Sequence, residues 1–110
     1  MRVYTIEEIA ESVRPIAEKY NIDKVYLFGS YARGEATEKS DVDLRIDYTE
    51  LVFKTIFGYG GLFADMEDAL EKNVDIVSTN ALREKIEDPL TRRFIKKIKK
   101  EEKLIYERIV

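Results

Sequence analysis

The chain has 110 residues, with 19 Lys and Arg against 22 Asp and Glu, and contains no His, Cys or Trp. That length allows one domain, over residues 1–110, whose core needs no disulfide. The absence of His and Cys excludes the usual zinc sites and the Ser-His-Asp and Cys-His catalytic arrangements. A metal ion would have to be held by oxygen ligands, which favour Mg²⁺ or Mn²⁺.

Charge is distributed unevenly along the chain. Residues 92–110 carry eight basic side chains and three acidic ones, whereas the preceding part is acidic. This basic segment is either the solvated face of a helix or a surface for a partner or a phosphate. No apolar stretch approaches the roughly 20 residues of a membrane span, and the first residues do not resemble a signal peptide. We expect a cytoplasmic protein without a membrane contact.

The first half of the chain predicts a helix, a strand, a helical turn and a second strand. Thr5 and Glu8 have the spacing of a capping box, and apolar residues then recur at helical spacing to residue 20. Pro15 predicts a kink or a break in that helix. Lys24–Phe28 is a short apolar run typical of a buried strand, residues 31–36 predict a helical turn, and residues 41–48 alternate as in a half-buried strand.

The second half predicts a helix, a third strand and two further helices. Residues 51–57 fit neither pattern, and the glycines of residues 59–61 predict a flexible break before a helix over residues 62–72. Residues 74–77 predict a strand. Helical spacing continues from residue 80, is broken near Pro89, and resumes as one long helix over residues 90–110. We therefore expect an α+β fold with a small mixed three-stranded sheet flanked by helices.

Three features of the sequence bear on chemistry. Gly29 and Ser30 lie between a strand and a helix start, where a glycine permits close approach of a ligand and the free N–H groups can hold phosphate. Asp41 and Asp43 are two residues apart on a strand and project from one face. Asp75 faces away from its apolar neighbours on the next strand. If the two strands pair in register, Asp75 joins the other carboxylates and the group can bind two Mg²⁺ ions.

Residues 29–43 resemble the Gly-Ser-x10-Asp-x-Asp signature of the nucleotidyltransferase superfamily that includes DNA polymerase β, and more narrowly the minimal nucleotidyltransferase domains. The resemblance implies that Gly29 and Ser30 hold the triphosphate of ATP. It implies that Asp41, Asp43 and Asp75 bind magnesium and that the third carboxylate orients or deprotonates the attacking hydroxyl.

Arg33 matches the common arginine of the family and has two open interpretations. It either contacts phosphate or the carboxylates, or forms a structural ion pair with Glu35 or Asp41. Arg45 is likewise open, between a triphosphate contact and an ion pair with Asp43 or Asp47.

The resemblance also implies a partner. Minimal nucleotidyltransferases commonly accompany a HEPN-domain toxin, and some act as antitoxins by transferring AMP from ATP to a tyrosine of that toxin. A non-catalytic module that masks its partner and a nucleotidyltransferase acting on a small molecule are the alternatives. Direct binding of nucleic acid is not expected.

Overall fold

A computed structural model describes the backbone of residues 2–50 and 56–109, and the side chains of the same residues except 56–58. The elements in chain order are α1 (Ile6–Lys19), β1 (Lys24–Phe28), α2 (Gly29–Arg33), β2 (Val42–Asp47), α3 (Ile56–Leu70), β3 (Val74–Ser78), α4 (Thr79–Glu84), α5 (Pro89–Glu101) and β4 (Lys103–Glu107). None of the described helices is long and apolar enough to cross a membrane.

The strands form a mixed sheet in the order β3-β2-β1-β4. β1 is antiparallel to both β2 and β4, whereas β2 and β3 are parallel and are joined through α3. The buried side chains of β2 face α1 and α3 and form the core with them: Val42, Leu44 and Ile46. The alternate residues of β2 point to the opposite face of the sheet, where α4 and α5 lie.

The first helix starts as the sequence predicts. The Glu8 N–H donates to the Thr5 hydroxyl at 3.1 Å, and the Thr5 N–H donates to the Glu8 carboxylate at 2.9 Å, which completes the capping box. The break predicted at Pro15 is absent, because α1 continues through it to Lys19. Val13 and Ile16, on either side of the proline, are buried and hold this part of the helix against the core.

The flexible break predicted over residues 59–61 is wrong, because this segment lies inside α3. A Cβ atom at Gly61 would lie 3.0 Å from the Tyr20 hydroxyl, so this glycine permits α1 and α3 to pack closely. The segment 51–57 that fits no pattern falls mostly outside the described residues: α3 begins at Ile56 and residues 51–55 are not described.

The prediction of one helix over residues 90–110 and of three strands is also wrong, since α5 ends at Glu101 and β4 adds a fourth strand. Glu102 leaves the helical conformation, with φ −66° and ψ 149°. The following residues then pair with the free edge of β1, where Val25 is opposite Tyr106. Ile98 is buried, whereas Leu90 and Ile109, at the two ends of the predicted helix, are 70% and 96% exposed.

Candidate active site

The turn between β1 and α2 brings the backbone against the carboxylate of β2. Gly29 has φ +76°, a left-handed conformation that L side chains rarely adopt. A Cβ atom at this position would lie 3.0 Å from Cγ of Asp43 and closer still to its oxygen Oδ2. Gly29 is therefore required both by its backbone conformation and by the space that Asp43 occupies.

Asp43 and Asp75 are opposite each other on the parallel strands β2 and β3. The pKa of Asp43 is raised from 3.8 to about 6. Burial is the largest cause, followed by the charges of Asp75 and Asp41 and a hydrogen bond with Asp75. The charge of Arg33 has the opposite effect and lowers the pKa in part. Asp75 and Asp41 are exposed. The structure thus places Asp43 and Asp75 side by side on the sheet face opposite the core. Asp41 lies just before β2 and not on it as predicted, but near enough for its charge to act on Asp43.

The donor set fits a hard divalent cation. Carboxylate oxygens are ligands that Mg²⁺ prefers. A cation would stabilise the ionised form of Asp43, whose pKa is raised first by burial and then by the charges of Asp75 and Asp41. Within the described parts of the chain, no three acidic side chains are already arranged around a single point as metal ligands. Asp41 and Asp75 are exposed and would have to turn toward a bound ion.

Arg33 forms an ion pair with Glu35, as one interpretation predicts, with Nε donating at 2.9 Å. Its second partner, at 2.9 Å from NH1, is Glu101 at the end of α5, which the sequence did not indicate. Neither Nε nor NH1 of Arg33 pairs with Asp41, the other predicted partner. The guanidinium is nevertheless close enough to Asp43 to lower the pKa of that carboxyl group. Arg33 is therefore beside the carboxylates rather than among them.

Ser30 and Gly29 line a cavity of about 360 Å³ together with Arg33 and Asp43. The opposite wall comes from α5, through Phe94, Lys97, Ile98 and Glu101. Motif spacing could not identify these residues, because they are more than 50 positions from the Gly-Ser turn. The signal that could have indicated this wall is the basic composition of residues 92–110, which the sequence left open as a surface for a partner or a phosphate. The basic side chains of α5 are exposed.

Arg45 has a structural role. It donates to Asp47 at 3.0 Å and to both oxygens of Glu102 at 2.9 and 3.0 Å. Its guanidinium also lies 4.0 Å from the ring centroid of Tyr26. The predicted ion pair with Asp47 is confirmed, and the Glu102 contact fixes the junction between α5 and β4 to β2.

Residues 11–109 match the family model described as "Polymerase beta, Nucleotidyltransferase". The chain belongs to this family. It is therefore a nucleotidyltransferase domain with the nucleotidyltransferase fold.

Two relatives carry more specific names. A candidate protein adenylyltransferase of Methanocaldococcus jannaschii is 34% identical over 106 residues, which cover 93% of this chain and 97% of that protein. The protein adenylyltransferase MntA of Thermococcus cleftensis is 32% identical over 100 residues, which cover 86% of this chain and 98% of that protein. These similarities extend over nearly the whole length of both proteins.

Solved structures have the same fold. A candidate minimal nucleotidyltransferase superposes with a TM-score of 0.68 and 29% identity, covering 94% of this chain and 98% of that one. A chain from the complex of a tri-AMPylated Shewanella oneidensis HEPN toxin with an MNT antitoxin superposes with a TM-score of 0.56 and 17% identity, covering 94% and 70%. The second likeness concerns the fold alone.

Proposed function

We propose that this protein transfers AMP from ATP to a tyrosine hydroxyl of a HEPN-domain partner, releases pyrophosphate, and thereby acts as an antitoxin. The observation that carries the proposal is the position of Asp43, opposite Asp75 on the neighbouring strand and against the turn of Gly29. Family membership supports nucleotidyl transfer, and the names of the relatives support a protein acceptor.

Asp41, Asp43 and Asp75 would hold two Mg²⁺ ions. These ions would supply positive charge to the attacking and leaving oxygens of the phosphoryl group. Rigid strand backbone holds Asp43 and Asp75 side by side, whereas the exposed Asp41 can adjust. Asp75 is the residue that would orient the acceptor hydroxyl or take its proton, because its exposed side chain can reach a group arriving from solvent.

The triphosphate would lie in the cavity beside the Gly-Ser turn. Gly29 permits a close approach of the backbone, and Ser30, whose hydroxyl is a further hydrogen-bond donor, lines the same cavity. Arg33 supplies positive charge on the same wall. These groups position the substrate for in-line attack, which provides most of the rate in phosphoryl transfer.

A HEPN partner is proposed on two grounds. The first is the resemblance of the signature to minimal nucleotidyltransferases. The second is that this chain shares its fold with a chain from the complex of a HEPN toxin with an MNT antitoxin. The exposed basic side chains of α5 form a surface that an acidic region of a partner could contact.

The experiment combines the protein with a HEPN toxin encoded beside it, ATP labelled at the α-phosphate, and Mg²⁺. We expect label on the toxin, loss of its activity, and mapping of the AMP to a tyrosine by mass spectrometry. Asp43→Asn should abolish labelling, because it removes a metal-binding charge. Asp68→Asn, an exposed aspartate of α3, is the matched control and should label normally.

Two outcomes would contradict the proposal. Inhibition of the toxin that persists in Asp43→Asn without labelling would indicate a module that only masks its partner. Labelling of a small molecule, with the toxin unlabelled and active, would indicate a different acceptor class.

A further inference from the structure

The last residue of α5 reaches across to the Gly-Ser turn. One oxygen of the Glu101 carboxylate accepts from the Gly29 N–H at 3.2 Å, and the other accepts from NH1 of Arg33 at 2.9 Å. The Glu101 side chain is only 13% exposed. An anionic group is therefore already bound, in a shielded position, to the backbone and side-chain donors of this turn.

The location of this carboxylate is unfavourable by itself. A negative charge at the C-terminal end of a helix opposes the helix dipole, and burial removes its hydration. Glu101 is held there because both oxygens receive hydrogen bonds, one of them from a charged guanidinium. The neighbouring Lys97, one turn earlier, lines the same cavity. The arrangement is that of an anion site whose occupant belongs to the protein.

The same donors are those assigned above to the triphosphate. The Gly29 N–H can make one strong hydrogen bond, and NH1 of Arg33 points at Glu101. A phosphate oxygen cannot share this N–H with the carboxylate, and two anions so close would repel each other. Binding of the triphosphate at the turn therefore requires Glu101 to leave it.

We propose that Glu101 is an intramolecular competitor of the triphosphate, which lowers the affinity of the nucleotide site until a polyphosphate displaces it. This inference rests on the proposed function, because it takes ATP as the ligand of that site. The α5–β4 junction stays attached when Glu101 leaves, since the adjacent Glu102 remains bound to Arg45. Arg33 then exchanges a carboxylate for a phosphate as its counterion, and Lys97 faces the same anion.

Isothermal titration calorimetry with Glu101→Gln tests the proposal. The amide keeps the size of the side chain but loses its charge, so we expect the Kd for MgATP to fall at least about fivefold. The Kd for magnesium tripolyphosphate should fall by the same factor, because the competition concerns the phosphates and not the nucleoside. In AMP transfer, the KM for ATP should fall while kcat stays unchanged.

Glu102→Gln is the matched control. Its carboxylate is equally shielded, at 13% exposure, and also accepts from an arginine, but its partner is Arg45 of β2 and not the Gly-Ser turn. Glu102→Gln should lower the thermal stability without changing the Kd for either polyphosphate. Equal changes of Kd in both variants would indicate a general loosening of α5 and would overturn the inference.

A measurement on the unmodified protein covers the case in which Glu101→Gln does not fold. Saturation with magnesium tripolyphosphate should shift the NMR resonance of the Glu101 carboxylate carbon and leave that of Glu102 in place. An unchanged or higher Kd in Glu101→Gln, or an unshifted Glu101 resonance at saturation, would overturn the inference while leaving the proposed function intact. Failure of every form to bind either polyphosphate would overturn both.

Discussion

Gly29 and Asp43 lie so close that no other residue fits at position 29 without moving the carboxylate, since an added Cβ would come within 3.0 Å of Asp43 Cγ. One residue belongs to the turn that would hold phosphate and the other to the carboxylates that would hold metal. The two halves of the candidate site are therefore positioned by direct contact, at the point where Phe28 of β1 is opposite Asp43 of β2.

Gly29→Ala tests this contact. The substitution strains a backbone at φ +76° and pushes Asp43 away, so we expect a loss of roughly 2–4 kcal/mol in the free energy of unfolding, together with loss of AMP transfer. Gly34→Ala is the control, because Gly34 has φ +74° and nothing within 4 Å of an added Cβ. It should cost only about 1–2 kcal/mol, the backbone strain alone. Stability is measured by denaturant unfolding and activity by the transfer assay. If both variants lost equal amounts of each, the contact between position 29 and Asp43 would not be the cause.

The metal-free protein should lose stability as Asp43 ionises. The pKa of Asp43 is raised by folding from 3.8 to about 6, so its contribution to stability is complete below pH 3.8 and is lost as the pH rises to about 6. Because the group is half-buried, solvent screening reduces this contribution to about 1 kcal/mol. In EDTA, Asp43→Asn should therefore be more stable than the unmodified protein above pH 6.

The measurement is urea unfolding of both forms from pH 4 to pH 8. The difference between them should grow through the interval between 3.8 and about 6 and then level off. Asp68→Asn should give a curve parallel to that of the unmodified protein, as its carboxylate is exposed. A pH-independent gain in Asp43→Asn would mean that the ionisation of Asp43 is not its cause.

Arg45 and Glu102 form a shielded ion pair, so the effect of replacing one residue on the free energy of unfolding should depend on whether the other is present. Their side chains are 12% and 13% exposed. Arg45→Met leaves the Glu102 charge without its main partner and should cost about 3 kcal/mol. The double variant Arg45→Met/Glu102→Leu should recover part of this loss. A double-mutant cycle by thermal unfolding measures the coupling, and additive losses would show that the pair contributes nothing to stability.

Two adjacent glycines of α3 should respond in opposite directions to alanine. Gly60→Ala meets nothing within 4 Å and gains helix propensity, so it should stabilise the protein by about 0.5–1 kcal/mol. At Gly61 the added methyl lies 3.0 Å from the Tyr20 hydroxyl, which donates to Asp65 at 2.7 Å. Gly61→Ala should therefore destabilise. Denaturant unfolding of the two variants compares them, and equal gains would show that α1 and α3 are not closely packed there.

Local signals predicted much of the fold correctly. The capping box of Thr5 and Glu8, the apolar run of β1 and the alternation of β2 each depend on residues a few positions apart. The end of α5 was predicted wrongly because the apolar residues 98, 105 and 109 are compatible with helical spacing. After Glu101 the chain instead pairs with the edge of β1, and Glu102 binds Arg45. Both of these partners are distant in sequence.

The sequence by itself determined the chemistry available to this protein: oxygen ligands without imidazole or thiolate, a Gly-Ser turn, and three aspartates, of which two are on strands and Asp41 lies just before one. Only the tertiary structure decided how these groups meet. Parallel pairing of β2 and β3 puts Asp75 opposite Asp43, and the return of α5 brings Glu101 to Gly29 and Arg33. Strand register and long-range ion pairs depend on residues that only folding brings together, and local periodicity carries no information about them.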